Sequence, residues 1–267
     1  MQNIRPPAVA GMFYPAEPDI LARDVRAMLA AAKPCELAPK ALIAPHAGYV
    51  YSGPIAASAY TALKNVAARI RRVVLLGPTH RVAVRGLALP GVDAFATPLG
   101  AVQVDVEAAQ SIAHLPQVTV SPQAHVLEQS LEVQLPFLQA LLRDFKLLPM
   151  AVGMATSEEV AEVLELLWGG EETLIVVSSD LSHYLPYDVA KRVDTATVQN
   201  ILGLKHPISH EQACGGTPIN GLLLAARHHH LAPHLLDLRN SGDTAGTRDG
   251  VVGYAAFVFT NEPAHVR

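Results

Sequence analysis

The sequence predicts a single α/β domain spanning 1–267, with a mostly parallel central sheet flanked by helices. Three observations point there. Short, almost wholly apolar runs bounded by Pro, Gly or Ser recur along the chain, as expected of strands buried on both faces. Longer amphipathic stretches separate those runs, and strands alternating with helices build βαβ units. No repeat, low-complexity linker or shift in composition divides the 267 residues, a length that one core can serve.

Taken in order, a helix is expected over 19–32, just after Pro18, and the first strand is the run 41–44. A second helix is expected over 54–63 and a second strand at 73–76. The stretch 86–104 is irregular and has room for an antiparallel hairpin. Helices over 105–113 and 128–142 lead to a strand at 147–152. The next helix, 157–168, has Ser157 as its expected N-terminal cap. A strand at 174–177, helices over 186–202 and 218–229, and a closing strand at 251–259 complete the alternation.

Composition narrows the function. Half the residues are hydrophobic and only 16% are charged, which excludes a disordered chain. Lys and Arg total 20 against 24 Asp and Glu, a net charge of -4, without the basic footprint of a nucleic-acid binder. No apolar run approaches the roughly 18 residues of a membrane span. The start, MQNIRPPAVAGMFYP, lacks the layout of a signal peptide. Two cysteines, Cys35 and Cys214, cannot frame a disulfide scaffold, so a cytoplasmic protein is expected.

Histidine placement carries the chemistry. Three strands end alike, in Pro45-His46-Ala47-Gly48-Tyr49, in Gly77-Pro78-Thr79-His80 and in Ser178-Ser179-Asp180-Leu181-Ser182-His183. In open α/β sheets the ligand site lies beyond the carboxyl ends of the strands, so His46, His80, His183 and Asp180 are expected to share one crevice. Two imidazoles and a carboxylate with open positions suit non-haem Fe(II). The same set could hold Zn(II) with a water in the open position. A further histidine there could act as general acid or base. Taken singly, each histidine could equally be a turn residue satisfied by backbone hydrogen bonds.

Other features are open to two readings. His125, Glu128 and Glu132 form either a substrate or proton-relay face, the two glutamates sharing a helix side, or an exposed acidic helix start favoured by the macrodipole. Cys214, ahead of a helix, is either a thiol of lowered pKa or, the favoured reading, a small residue in a tight turn. Asp243 could be a carboxylate ligand or part of a polar turn. His228, His229 and His230 read as solvated at a helix end, able to pick up metal adventitiously. There is no GxSxG, GxxxxGK[ST], GxGxxG, HExxH or CxxC, so a hydrolase elbow, a nucleotide cofactor and the commonest zinc signatures are unsupported.

The segments PHAGYVYSGPIAASAY (45–60), LGPTHRV (76–82), ATPLGAVQVD (96–105), EQSLEVQLPFL (128–138), SSDLSHYLPYD (178–188), CGGTPI (214–219) and GYAAF (253–257) together resemble the Memo family. That family is named for a mediator of cell motility, and its bacterial and archaeal members for protein B of the AmmeMemoRadiSam system. It is similar to class III extradiol dioxygenases, which are non-haem iron enzymes. The resemblance implies His46 and His80 as metal ligands and His183 as acid/base with Asp180 beside it; His125, Glu128, Tyr49 and Cys214 are expected to line the pocket. The dioxygenases take a third ligand from Glu, and Memo relatives from a Cys near 240–244. Here that segment holds Thr244, with Asp243 adjacent as a substitute ligand. Gln129 stands where family members usually have His. Three functions are then open: a redox enzyme using Fe(II) or copper, a binding protein for a peptide or small ligand, and a zinc-dependent hydrolase. A radical SAM protein of the same system is the implied partner.

Overall fold

Buried on both faces, the apolar runs form the middle of a mixed sheet. The protein is described here by a computed structural model covering residues 2–261. The chain passes through β1 (Ile4–Arg5), α1 (Pro18–Ala31), β2 (Ala41–Ala44), α2 (Tyr49–Tyr60), β3 (Arg72–Pro78), β4 (Leu87–Leu89), β5 (Ala94–Thr97), β6 (Gly100–Gln103), α3 (Val106–Ile112) and β7 (Val118–Val120). Three short helices follow, α4 (Pro122–Val126), α5 (Gln129–Glu132) and α6 (Leu135–Leu141). Then come β8 (Lys146–Val152), α7 (Ser157–Leu167), β9 (Thr173–Ser178), β10 (His183–Leu185), α8 (Tyr187–Leu202), α9 (Gly216–His228), β11 (Leu231–Asn240) and β12 (Val251–Asn261).

The large sheet has the order β10-β12-β2-β9-β3-β8-β4-β7, with β11 also paired to β12. Its centre is parallel, β2 on β9, β9 on β3 and β3 on β8. Both flanks turn antiparallel, β12 on β2 at one side and β4 on β8 at the other. Successive residues of a strand face opposite sides, and the core divides accordingly. Leu42, Ala44, Val73 and Leu75 pack with Leu21 and Val25 of α1, Ile55 of α2 and Phe137 of α6. Ile43, Val74 and Leu76 pack on the other side with Val160 and Leu164 of α7 and Leu222 of α9. Each such side chain taken from water stabilises the fold by about 1.5–3 kcal/mol. A small second sheet, β1-β5-β6, contains the hairpin expected within 86–104, β5 pairing antiparallel with β6.

Four local departures have physical causes. The single helix expected over 128–142 is divided into α5 and α6. Pro136 cannot donate to the carbonyl of Glu132, and the Gln134 amide turns inward to donate to Pro45 O (3.0 Å) and Ser178 Oγ (2.7 Å). Helix α2 begins at Tyr49 rather than at Pro54, which it accommodates internally. The cap of α7 is Thr156, not Ser157: Thr156 Oγ1 accepts from Glu159 N while Thr156 N donates to the Glu159 carboxylate, a reciprocal capping box. Strand β11 was not expected, because it contains Pro233 and is only partly buried; it pairs with β12 alone, and an edge position tolerates proline. Among the described residues, no helix is long and apolar enough to cross a membrane.

Candidate metal centre

Strands β2, β9 and β3 are neighbours and run the same way, so the chain leaves the sheet three times along one edge. Register sets Ala44 beside Ser178 and Leu76 beside Val177, roughly one strand spacing of 4.8 Å at each step. The turns that follow are tied to one another. His46 N donates to Asp180 Oδ1 (2.7 Å), Ser179 N to Ala44 O (2.9 Å) and His80 N to Glu128 Oε2 (2.7 Å). His46 and His80 therefore meet, ring centroids 5.2 Å apart and nearly perpendicular.

Cys214 completes the group from the loop before α9. Its Sγ is 3.3 Å from His46 Nε2, and the donor atoms of His46, His80 and Cys214 all lie within 4.8 Å of one another. Gly215 makes that approach feasible: a Cβ there would stand 2.6 Å from Ser179 Cβ, whereas Gly215 N donates to Ser179 Oγ (2.9 Å).

The hydrogen bonds behind the rings assign their tautomers. Ser178 Oγ donates its one proton to Ser130 O (2.6 Å), so at 2.9 Å His46 Nδ1 must donate to Ser178. Glu128 accepts from His80 Nδ1 at 2.7 Å. Both histidines thus carry their proton on Nδ1 and turn the Nε2 lone pair toward Cys214, the arrangement by which outer partners orient metal-binding imidazoles. Burial, reinforced by the neighbouring His80, lowers the His46 pKa to about 3 and keeps the ring neutral. Burial pushes the Glu128 carboxyl up, but the His80 hydrogen bonds outweigh it and hold the group at about 2. Cys214 moves the opposite way from the thiol of lowered pKa considered above: burial, then the Asp180 charge, push it up to about 12. Binding a metal there would require the thiol to release its proton. Burial likewise raises the Asp180 carboxyl.

In front of this group lies a cavity of about 680 Å³. His46, His80, Asp180, His183 and Gln129 supply its polar wall, and Phe13, Tyr51, Tyr184 and Tyr254 an aromatic one. His183 Nδ1 donates to Leu181 O (2.9 Å), which leaves its Nε2 as a proton acceptor. Tyr184 stands at the lip, 80% exposed, on a left-handed backbone with φ 56°.

Several expected site residues lie elsewhere. Asp243 is neither the third donor nor part of the cavity wall: its carboxylate accepts from Asn240 N (3.0 Å) and from the Tyr187 hydroxyl, closing the turn before β12. Thr244 is folded back in the same turn, its N and Oγ1 both on Ser241 O. Segment 240–244 contains no cysteine, and the thiol that meets His46 and His80 is Cys214, from the loop before α9. His125 is a core residue, its Nε2 donating to Ala88 O (2.8 Å) and its ring edge against Phe95. Tyr49 donates to Val133 O (2.6 Å) and packs between Tyr14 and Phe137. Glu128 serves from behind His80 and does not line the cavity. Glu128 and Glu132 are both buried, so an exposed acidic helix start is incorrect. Glu132 accepts from Arg5, Tyr14 and the N–H groups of Ala8 and Val9. Ser178 and Gln134 were missed, being ordinary polar types in the sequence; the double glycine after Cys214 was the available signal of a close approach.

The fold and the cluster define an α/β protein with a His–His–Cys group, able to hold a metal, at the carboxyl ends of parallel strands. A family model described as "Memo-like protein" matches residues 5–258, and the chain belongs to that family. It is 36% identical over 272 residues to a MEMO1 family protein of Methanosarcina barkeri, covering 96% of this chain and 99% of that one. It is 35% identical over 270 residues to a MEMO1 family protein of Aquifex aeolicus, with the same coverage. Among solved structures, an uncharacterized protein from Escherichia coli K12 shares the fold, with a TM-score of 0.52 at 14% identity over 83% of this chain and 99% of that one.

Proposed function

We propose that this protein is a metal-dependent redox enzyme acting on a small molecule or peptide side chain bound in the crevice. The observation that carries the reading is the convergence of His46 Nε2, His80 Nε2 and Cys214 Sγ, both imidazoles held in the metal-binding tautomer. A thiolate in place of a carboxylate moves the donor set from one typical of non-haem iron toward copper and zinc. A copper or iron ion bound there would supply one-electron exchange with the ligand. The chain's own residues do the rest. Glu128 and Ser178 orient the two imidazoles. His183, close by in the cavity wall, takes or returns a proton at Nε2, and the buried Asp180 fixes the turn of His46 through its backbone N–H. The aromatic wall offers a stacking surface. A reducing cytoplasm would keep Cys214 a thiol, and a radical SAM protein is the partner to seek by co-purification.

The same donors would suit zinc with bound water, the hydrolase reading. Elemental analysis of untagged protein purified without oxygen, with the His46→Ala/His80→Ala variant alongside, separates them. Copper or iron near one equivalent in the parent, absent from the variant, supports the redox reading. Zinc lost in the same way replaces it with the hydrolase. No crevice metal, even after reconstitution, refutes both and leaves a ligand-binding pocket.

A further inference from the structure

At the far end of α9 from Cys214, a second set of donors meets on one carboxylate. The helix has 13 residues, so the two groups are separated by about 20 Å of helix. Glu165, in the last turn of α7, accepts from His228 Nδ1 at 2.9 Å on one oxygen and from His229 Nε2 at 2.8 Å on the other. Adjacent side chains inside a helix diverge by about 100°. Here they converge because α9 ends at His228 and His229 is its C-cap, bringing the ring centroids to 4.9 Å. The His229 ring is held in place. It stacks on Trp168, centroids 3.8 Å apart and planes within 8°. Lys40, tied to the carbonyls of Trp168, Gly170 and Thr173, lies 5.3 Å from the centroid of the Trp168 ring.

We propose that Glu165, His228 and His229 form a second, solvent-facing binding site for a divalent cation of borderline softness, zinc above all, independent of the crevice. One carboxylate and two imidazoles, with a fourth position open to water, are a complete donor set for zinc. Zinc–ligand bonds of about 2.0–2.2 Å put neighbouring tetrahedral donors about 3.3 Å apart. The two N···O separations fall about half an ångström short of that. An ion would therefore enter by a small outward shift of Glu165 and His228 against the stacked His229 ring. His228 is 71% exposed and Glu165 33%, which gives both the access and the slack. Each neutral ring moves its proton from the donating nitrogen to the other one, freeing a lone pair without net proton loss. The ion would fasten the end of α7 to the end of α9.

The test uses untagged, chelator-stripped protein carrying His46→Ala/His80→Ala, titrated with zinc by calorimetry. One equivalent should bind with a Kd of about 10 µM or tighter. Tm should rise by roughly 5–10 °C at a hundredfold excess over Kd. Adding Glu165→Gln or His229→Gln should weaken binding at least about tenfold with the circular dichroism spectrum unchanged. If the crevice variant does not fold, Glu165→Gln alone must remove a zinc equivalent that the otherwise intact protein binds. Failure to bind zinc at about 100 µM, or binding indifferent to Glu165→Gln, overturns the proposal.

Discussion

Replacing Glu132 by Gln keeps the shape of the side chain and removes its charge, which isolates one buried ion pair. Glu132 is fully buried, and Arg5 is only 3% exposed. One carboxylate oxygen accepts from Arg5 (2.6 Å) and Ala8 N (2.8 Å), the other from Tyr14 Oη (2.6 Å) and Val9 N (3.0 Å). An amide can serve only one of these pairs. Its best placement keeps the oxygen toward Arg5 and Ala8 and sets its NH2 group against Tyr14, whose hydroxyl can rotate to accept, and against Val9 N, which cannot. The guanidinium then remains buried without a counter-charge. Breaking a buried pair in this way costs about 3–5 kcal/mol. At about 2–4 °C per kcal/mol in a domain of this size, Tm should fall by about 6–20 °C. Calorimetry or a urea titration measures the loss, and metal content per folded molecule should not change, because Glu132 lies outside the crevice wall. Adding Arg5→Met should cost less than its effect in the parent, since the stranded charge leaves with it. A shift of less than about 2 °C, or strict additivity of the two substitutions, would refute the reasoning.

Glu128→Gln should lower metal affinity at the crevice about 10–100-fold while His46 and Cys214 stay in place, read by competition with a chelator; an unchanged Kd would remove the orienting role given to Glu128. Gly215→Ala forces a Cβ to within 2.6 Å of Ser179, so it should cost about 1–3 kcal/mol and displace Cys214, read as lower Tm and weaker metal binding together. Asp194 gives a pH signature. Burial raises its pKa from 3.8 to about 6, so the native state holds a proton that the unfolded chain has lost. Its contribution to stability is therefore intact below about pH 4, falls between pH 4 and 6, and is a fixed cost of up to about 3 kcal/mol above that. Asp194→Asn should gain on the parent by up to that amount between pH 4 and 7 in urea titrations, and parallel stability curves would contradict the assignment.

The strands were legible because runs such as 73–76 and 174–177 are buried on both faces and read as continuous apolar text. β11 was not, because its residues are mostly half-covered and alternate poorly. The break between α5 and α6 depends on Gln134 finding Ser178 and Pro45 across the core, which no local pattern announces. Strand-end placement was enough to expect His46 and His80 in one crevice, where their rings meet. The third donor was sought at Asp243 and Thr244 because the family resemblance, not any local pattern, points to the segment 240–244. Cys214 was expected near the pocket but favoured as a small residue in a tight turn, the usual behaviour of a free cysteine. His125 and His80 look alike in sequence, and only the tertiary partners, Ala88 O for one and Glu128 for the other, distinguish a core residue from one that lines the crevice.

The reach of chain between the crevice donors has a consequence for biogenesis. Cys214 and His46 are 168 residues apart, and β9, the strand between those that lead to His46 and His80, is itself laid down late in the chain. A nascent polypeptide on the ribosome owns His46 and His80 long before it owns the thiol or the Ser178 hydroxyl that orients His46. Those early imidazoles make a weak, unoriented pair. The full donor set exists only after nearly the whole chain has emerged and the sheet has closed, so a metal bound there would be acquired post-translationally, from the cell's exchangeable pool at that moment and not during synthesis.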